Sequence, residues 1–107
     1  MASNGWNASL PVATFVKLYT NSGSGPATMN IAFCNTSTAE TNGVRVAISS
    51  ASDARGITSA DYVEYNQTVN SGNVYERTGM VISPGESIYV FDQFGVCSAR
   101  VHGFEGN

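Results

Sequence analysis

Apolar and polar residues alternate along this chain from Ala13 onward, in short runs separated by Gly, Pro, Asn and Ser. A period of two sends successive side chains to opposite faces of an extended strand. The cleanest run is Gly43–Ser50, where Val44, Val46 and Ile48 face one way and Arg45, Ala47 and Ser49 the other. Ala27–Asn35 sets Met29, Ile31 and Phe33 against Thr28, Asn30 and Ala32. Val96–Phe104 sets Cys97, Ala99 and Val101 against Ser98, Arg100 and His102. In Ala13–Thr20, Val16 and Leu18 form the inward face and Phe15, Lys17 and Tyr19 the other. Tyr62–Asn66, a strand within NVYERTGMVI at 73–82, and Ser87–Asp92 complete the set. Gly79, inside the fifth run, predicts a bulge or a close backbone approach.

The punctuation agrees. Residues 21–26 (NSGSGP) and the polar stretch after Asn35 are loops, and Asn70–Asn73 is a turn. Residues 50–61 are too polar for a strand. Thr58–Asp61 has the composition of one helical turn, with Thr58 or Ser59 as its cap. Ser83-Pro84-Gly85-Glu86 predicts a type II turn, with Pro setting φ at the second position and Gly accepting positive φ at the third. Residues 1–11 read as an extended, irregular arm carrying Trp6, ahead of a single domain over 12–107. Strands that alternate in this way are dry on one face only, so two sheets must close on each other. The expectation is all-β: a two-sheet antiparallel β-sandwich of about seven strands, immunoglobulin-like or jelly-roll-like.

Composition narrows the function. The chain has 107 residues, enough for one domain, and only 12% of them are charged, against about 25% in ordinary domains. A surface built from Asn, Ser, Thr and Gly repels its own copies weakly, which suits a protein packed against neighbours. Net charge is -3, and the cations Lys17, Arg45, Arg55, Arg77 and Arg100 are scattered. No nucleic-acid partner is expected, because phosphate recognition needs such groups clustered on one face. No membrane partner is expected either, since no apolar run approaches the roughly 20 residues that span a bilayer. The first residues show neither a basic nor an apolar signal region.

Chemistry-bearing residues are few. His102 is the only histidine, near Glu105 in sequence, and no Ser or Cys sits in a nucleophile motif. No catalytic residue, cofactor or enzymatic activity is expected. Two Cys and one His fall short of a structural zinc site. Asp53, Asp61 and Glu64 are the nearest thing to a calcium set, but they read more simply as a capped turn leading into a strand, so no metal is expected. Cys34 and Cys97 have opposite parity relative to the apolar faces of their strands, and both are expected as free thiols. The sequons at Asn7, Asn35 and Asn66 are expected to be coincidental.

Association is the remaining function class. Trp6 either folds back over its own sandwich or seats against a neighbouring subunit. Tyr62 and Tyr65 have the amphipathic rings that interfaces favour. Glu76 and Arg77 have opposite strand parity, so one can pair within the subunit while the other reaches outward. Arg100 and His102 lie on the polar face of the last strand. Trp6, Tyr62, Tyr65, Glu76, Arg77, Arg100 and His102 are therefore the interface candidates. The Tyr and Asn content also suits a glycan-stacking platform.

Three stretches carry a resemblance: NGWNASLPVATFVKLYT at the start, SADYVEYNQTVNSGNVYERTGMVISPGESIYVF in the second half, and GVCSARVHGFE at the end. Together they resemble small tailed-phage virion structural proteins, in which an "LP" segment, a "YIEY"-like strand, an "ERTG…SPGE" hairpin and a final "VRVxGFE" strand recur. The resemblance covers most of the chain. It implies a location in the virion and a role as a capsid decoration (cement) subunit or as a tail or fibre accessory piece. The partners would be copies of itself and other virion proteins, with a host-surface glycan as the alternative. It assigns scaffold and contact roles to Glu76–Gly79, Ser83–Glu86 and Arg100–Glu105. Cys97 departs from the pattern.

Overall fold

The computed structural model describes the backbone of residues 2–106 and the side chains of residues 5–106. It contains eight strands: β1 (Ala2–Ser9), β2 (Val16–Thr20), β3 (Ala27–Asn35), β4 (Thr41–Ser49), β5 (Tyr62–Val69), β6 (Val74–Ile82), β7 (Ser87–Asp92) and β8 (Cys97–Glu105). Two single-turn 3₁₀ helices, Ala54–Gly56 and Ser59–Asp61, sit between β4 and β5.

The strands form two antiparallel sheets, β1-β8-β3-β6 (sheet A) and β2-β7-β4-β5 (sheet B). The first strand pairs with the last, the second with the seventh, the third with the sixth and the fourth with the fifth. The chain is thus one long double ribbon folded over on itself and closed by the pairs β3–β8 and β4–β7. This order is that of a jelly roll, which decides between the two sandwich types the alternation allowed.

The inward faces meet in one core. Met29, Ile31 and Phe33 of β3 and Val101 of β8 pack toward Val44 and Val46 of β4 and Ile88 and Val90 of β7, all with no exposed surface. Each such side chain contributes about 1.5–3 kcal/mol by leaving water. The alternation predicted for β3 and β8 is reproduced residue by residue. β7 departs from it and is buried throughout. Its outward Tyr89 and Phe91 are covered by the Lys17 ammonium and the Phe15 ring.

Two boundaries differ from expectation. The arm over residues 1–11 is mostly a strand: β1 runs along β8 in full register from Ala2↔Glu105 to Ser9↔Ser98. Its Asn, Gly and Ser residues have little strand preference of their own. The open edge of β8 offers backbone partners that override it. The strand predicted from Ala13 begins at Val16, because Ala13 takes a left-handed φ of 48° and donates its N–H to the Asp92 carbonyl. A register shift between Lys17 and Tyr19 then turns both Leu18 and Tyr19 inward.

The local turn chemistry appears as expected. Glu86 N–H bonds Ser83 O at 3.0 Å and Gly85 sits at φ 87°. Gly79 lies in the predicted bulge and donates its N–H to Asn30 Oδ1 at 2.9 Å, where the β3–β6 register shifts. Thr58 N–H bonds Asp61 Oδ2 at the start of the second 3₁₀ turn. Cys34 and Cys97 are both free, the first half-exposed and the second buried.

Candidate association face

The site is built on the outer face of sheet A. Outward positions of neighbouring strands fall into rows set by the register. Across β8, β3 and β6 these rows are Phe104–Thr28–Val81, Arg100–Ala32–Glu76 and Ser98–Cys34–Val74. The middle strand therefore presents Thr28, Asn30, Ala32 and Cys34, all small or short. Val74, Val81 and Phe104 beside it are each more than half exposed. A shallow trough of about 480 Å³ runs over Ala32, Cys34 and Ser98, between Val74 and Asn7, with Arg100 at one end.

Arg100 reaches over β1. A Cβ on Gly5 would come within 2.6 Å of Arg100 Nη2, so the glycine is what lets the guanidinium lie there. The guanidinium forms no ion pair, hydrogen bond or ring contact among the described residues, which distinguishes it from the other cations. Lys17 donates to Ser52 O, Arg45 stacks between Tyr65 and Phe91, Arg55 pairs with Asp53, and Arg77 pairs with Glu64. Glu76, exposed two strands away in the same row, likewise has no ionic partner among the described residues.

His102 lies between Gly5 and Asn30 in register. Its Nε2 is 3.5 Å from Asn30 Nδ2, and its buried Nδ1 has no partner among the described residues. Glu105, its neighbour in sequence, has the other parity and accepts a 2.8 Å bond from the Tyr19 hydroxyl. Burial, and then that carboxylate, raise the Tyr19 pKa well above a phenol's usual value. The acids considered for calcium are used separately: Asp53 by Arg55, Asp61 by Thr58 N–H and Glu64 by Arg77. No cluster of three or more His, Cys, Asp or Glu able to hold a metal occurs among the described residues.

The structure thus divides the interface candidates. Glu76, Arg100 and His102 share the outer face of sheet A. Arg77 turns away to Glu64. Trp6 packs within its own chain, 4.6 Å from the Tyr19 ring and against the core, and remains partly exposed. Tyr62 and Tyr65 lie at the far edge of sheet B, edge to face at 5.0 Å. There the Arg45 guanidinium stacks on Tyr65 at 4.4 Å and on Phe91 at 4.7 Å. A cleft of about 370 Å³ opens between the two tyrosines and Ile57, Thr58 and Ser59.

Sequence reasoning missed Asp92. Its carboxylate is fully buried and accepts from Thr41 Oγ1 at 2.6 Å and from the N–H groups of Phe94, Val96 and Cys97. Burial pushes its pKa up, but the four donors outweigh that and hold it below the usual carboxylate value. The only signal in the sequence is an Asp followed shortly by Gly at a strand end. Asn21 and Asn35 were missed in the same way. Each is buried and uses its side-chain amide to bridge to the opposite sheet, to Ile82 O and Val69 O respectively.

No protein-family model, curated protein or solved structure matches the chain.

Proposed function

We propose that this chain is a virion structural subunit, a capsid decoration (cement) protein that acts by protein–protein association through the outer face of sheet A. The observation that carries the reading is the pairing, on one sheet face, of a small-residue strip with exposed Val74, Val81 and Phe104 and with the charges of Arg100 and Glu76, which have no ionic partner among the described residues. Short side chains permit close approach, the apolar groups supply burial, and the charges give orientation. The sequence resemblance supplies the particle. The jelly roll is compatible with it, since that architecture serves viral capsid and lectin domains alike.

The test is reconstitution. Purified protein added to capsids that lack it is expected to bind to saturation at a fixed ratio to lattice sites, and Arg100→Glu to weaken that binding. Binding to isolated tails or fibres in place of capsids would favour the accessory-component reading. No binding to either would remove the proposal.

A second reading rests on the Tyr62–Tyr65 cleft. A ring beside the hydroxyls of Thr58 and Ser59 is an arrangement that suits a sugar, and it would make the chain an adhesive module for host-surface glycans. Glycan-array binding abolished by Tyr65→Ala would support it.

A further inference from the structure

We propose that the outer face of sheet A closes on a second copy of this chain about a two-fold axis running along β3, so that Arg100 of each copy meets Glu76 of the other. This rests on the reading of that face as an association surface and names its partner.

The argument is one of register. Arg100 and Glu76 lie in one row on opposite sides of β3, with Ala32 between them. Rotation about an axis along β3 exchanges the two sides and leaves the row in place. The Arg100 position then faces Glu76 of the second copy, and Glu76 faces Arg100; the exposed guanidinium, which lies over Gly5 in the single chain, swings toward β3 to close two equivalent ion pairs. The same operation sets Phe104 over Val81 twice, because these two flank Thr28 in a row of their own. An isologous contact requires this self-complementarity.

The other in-plane axis, running across the strands through the same row, sets Arg100 on Arg100 and Glu76 on Glu76. Like charges brought together in this way oppose association. The charge pattern therefore selects between the two symmetric arrangements. Along the selected axis, Thr28, Asn30, Ala32 and Cys34 of the two copies face each other. Their size allows the sheets to approach to the ordinary spacing of about 10 Å.

The footprint sets the strength. Three strands overlap about this axis, β8, β3 and β6; about 4.8 Å apart and nine residues long at about 3.3 Å each, they cover roughly 400 Å² per copy, while β1 overhangs the partner's β6 edge. That lies below the range of stable interfaces and marks a weak, transient contact. The free pair is expected to dissociate in the micromolar range and to gain strength where copies are held together on a lattice.

The test is sedimentation equilibrium of the intact chain over a concentration series. Wild type is expected to pass from monomer to dimer. Arg100→Glu and Glu76→Arg are each expected to raise the dissociation constant at least tenfold. The double variant is expected to return to within about threefold of wild type. Both positions are exposed, and circular dichroism with thermal melts checks that each variant folds. A short bis-maleimide is expected to link two copies through Cys34, and Cys34→Ser to abolish the link. Equal constants for all four proteins, a double variant no better than the singles, or no Cys34 link would overturn the proposal. A chain that stays monomeric at every concentration yet binds capsids in an Arg100-dependent way would overturn the self-pairing alone and leave the association face standing.

Discussion

The Arg77 guanidinium of β6 and the Glu64 carboxylate of β5 meet at 2.6 Å and tie the edge of one sheet to the edge of the other. Arg77 has the inward parity of its strand, opposite Ile31, while Glu76 beside it points out opposite Ala32. The Glu64 carboxylate also acts on the nearby Tyr75 phenol. Burial first, and that carboxylate second, raise the Tyr75 pKa. Four-tenths of the Arg77 side chain is exposed and little of Glu64 is, so the pair is screened on one side only.

Glu64→Gln or Arg77→Met is therefore expected to lower stability by about 1 kcal/mol, the scale of a partly exposed ion pair, read as a fall in the urea midpoint. Self-association is expected to stay as in wild type, because Arg77 does not reach the outer face of sheet A.

Asp92 predicts acid sensitivity. Its carboxylate pKa is lowered in the folded chain, so the stability it contributes is complete above the unfolded value of about 3.9. That stability is lost as pH falls through the lower folded value. The melting temperature of wild type is expected to drop below pH about 4. Asp92→Asn places an amide donor against backbone N–H groups and is expected to cost about 3 kcal/mol at neutral pH, with a flatter response to acid. A variant as stable as wild type at pH 7 would contradict this.

β1 is a structural strand. Deleting residues 1–9 removes Trp6 from the Tyr19 ring and leaves β8 as an open edge, a template for pairing with other chains. The truncated chain is expected to aggregate on heating at a concentration where the full chain remains clear. Trp6→Ala in the full chain is expected to cost about 2–3 kcal/mol, measured by chemical denaturation.

The two thiols are expected to react at very different rates. Burial, and next to it the Asp92 carboxylate, push the Cys97 thiol up to about 12, so it carries almost no thiolate at pH 8. Cys34 lies half-exposed on the outer face of sheet A. Maleimide added to the native chain at pH 8 is expected to modify one thiol, located at Cys34 by peptide mass. The second is expected to react only on unfolding.

Much of this was legible in the alternation of residues. It identified the inward faces of β3, β4 and β8, the Ser83–Glu86 turn, the Gly79 bulge, and the divergence of Glu76 and Arg77. These features depend only on neighbours along the chain, where a strand's period of two and a turn's φ requirements operate. The same pattern pointed to a sandwich but not to its strand order.

Tertiary structure decided the rest. A polar segment such as β1 becomes a strand only because β8, some ninety residues further on, leaves an edge beside it. Asp92 becomes a four-donor anchor only once Thr41 and the turn after β7 are folded around it. Arg100 and Glu76 share a row only because β8 and β6 both pair with β3. The sequence by itself determined which way the side chains of β3, β4 and β8 point, but not those of β2, where the register shift turns Tyr19 inward. Which residues a side chain stands beside was set by the closing of distant strands, since period-two alternation carries no information about a strand's partner.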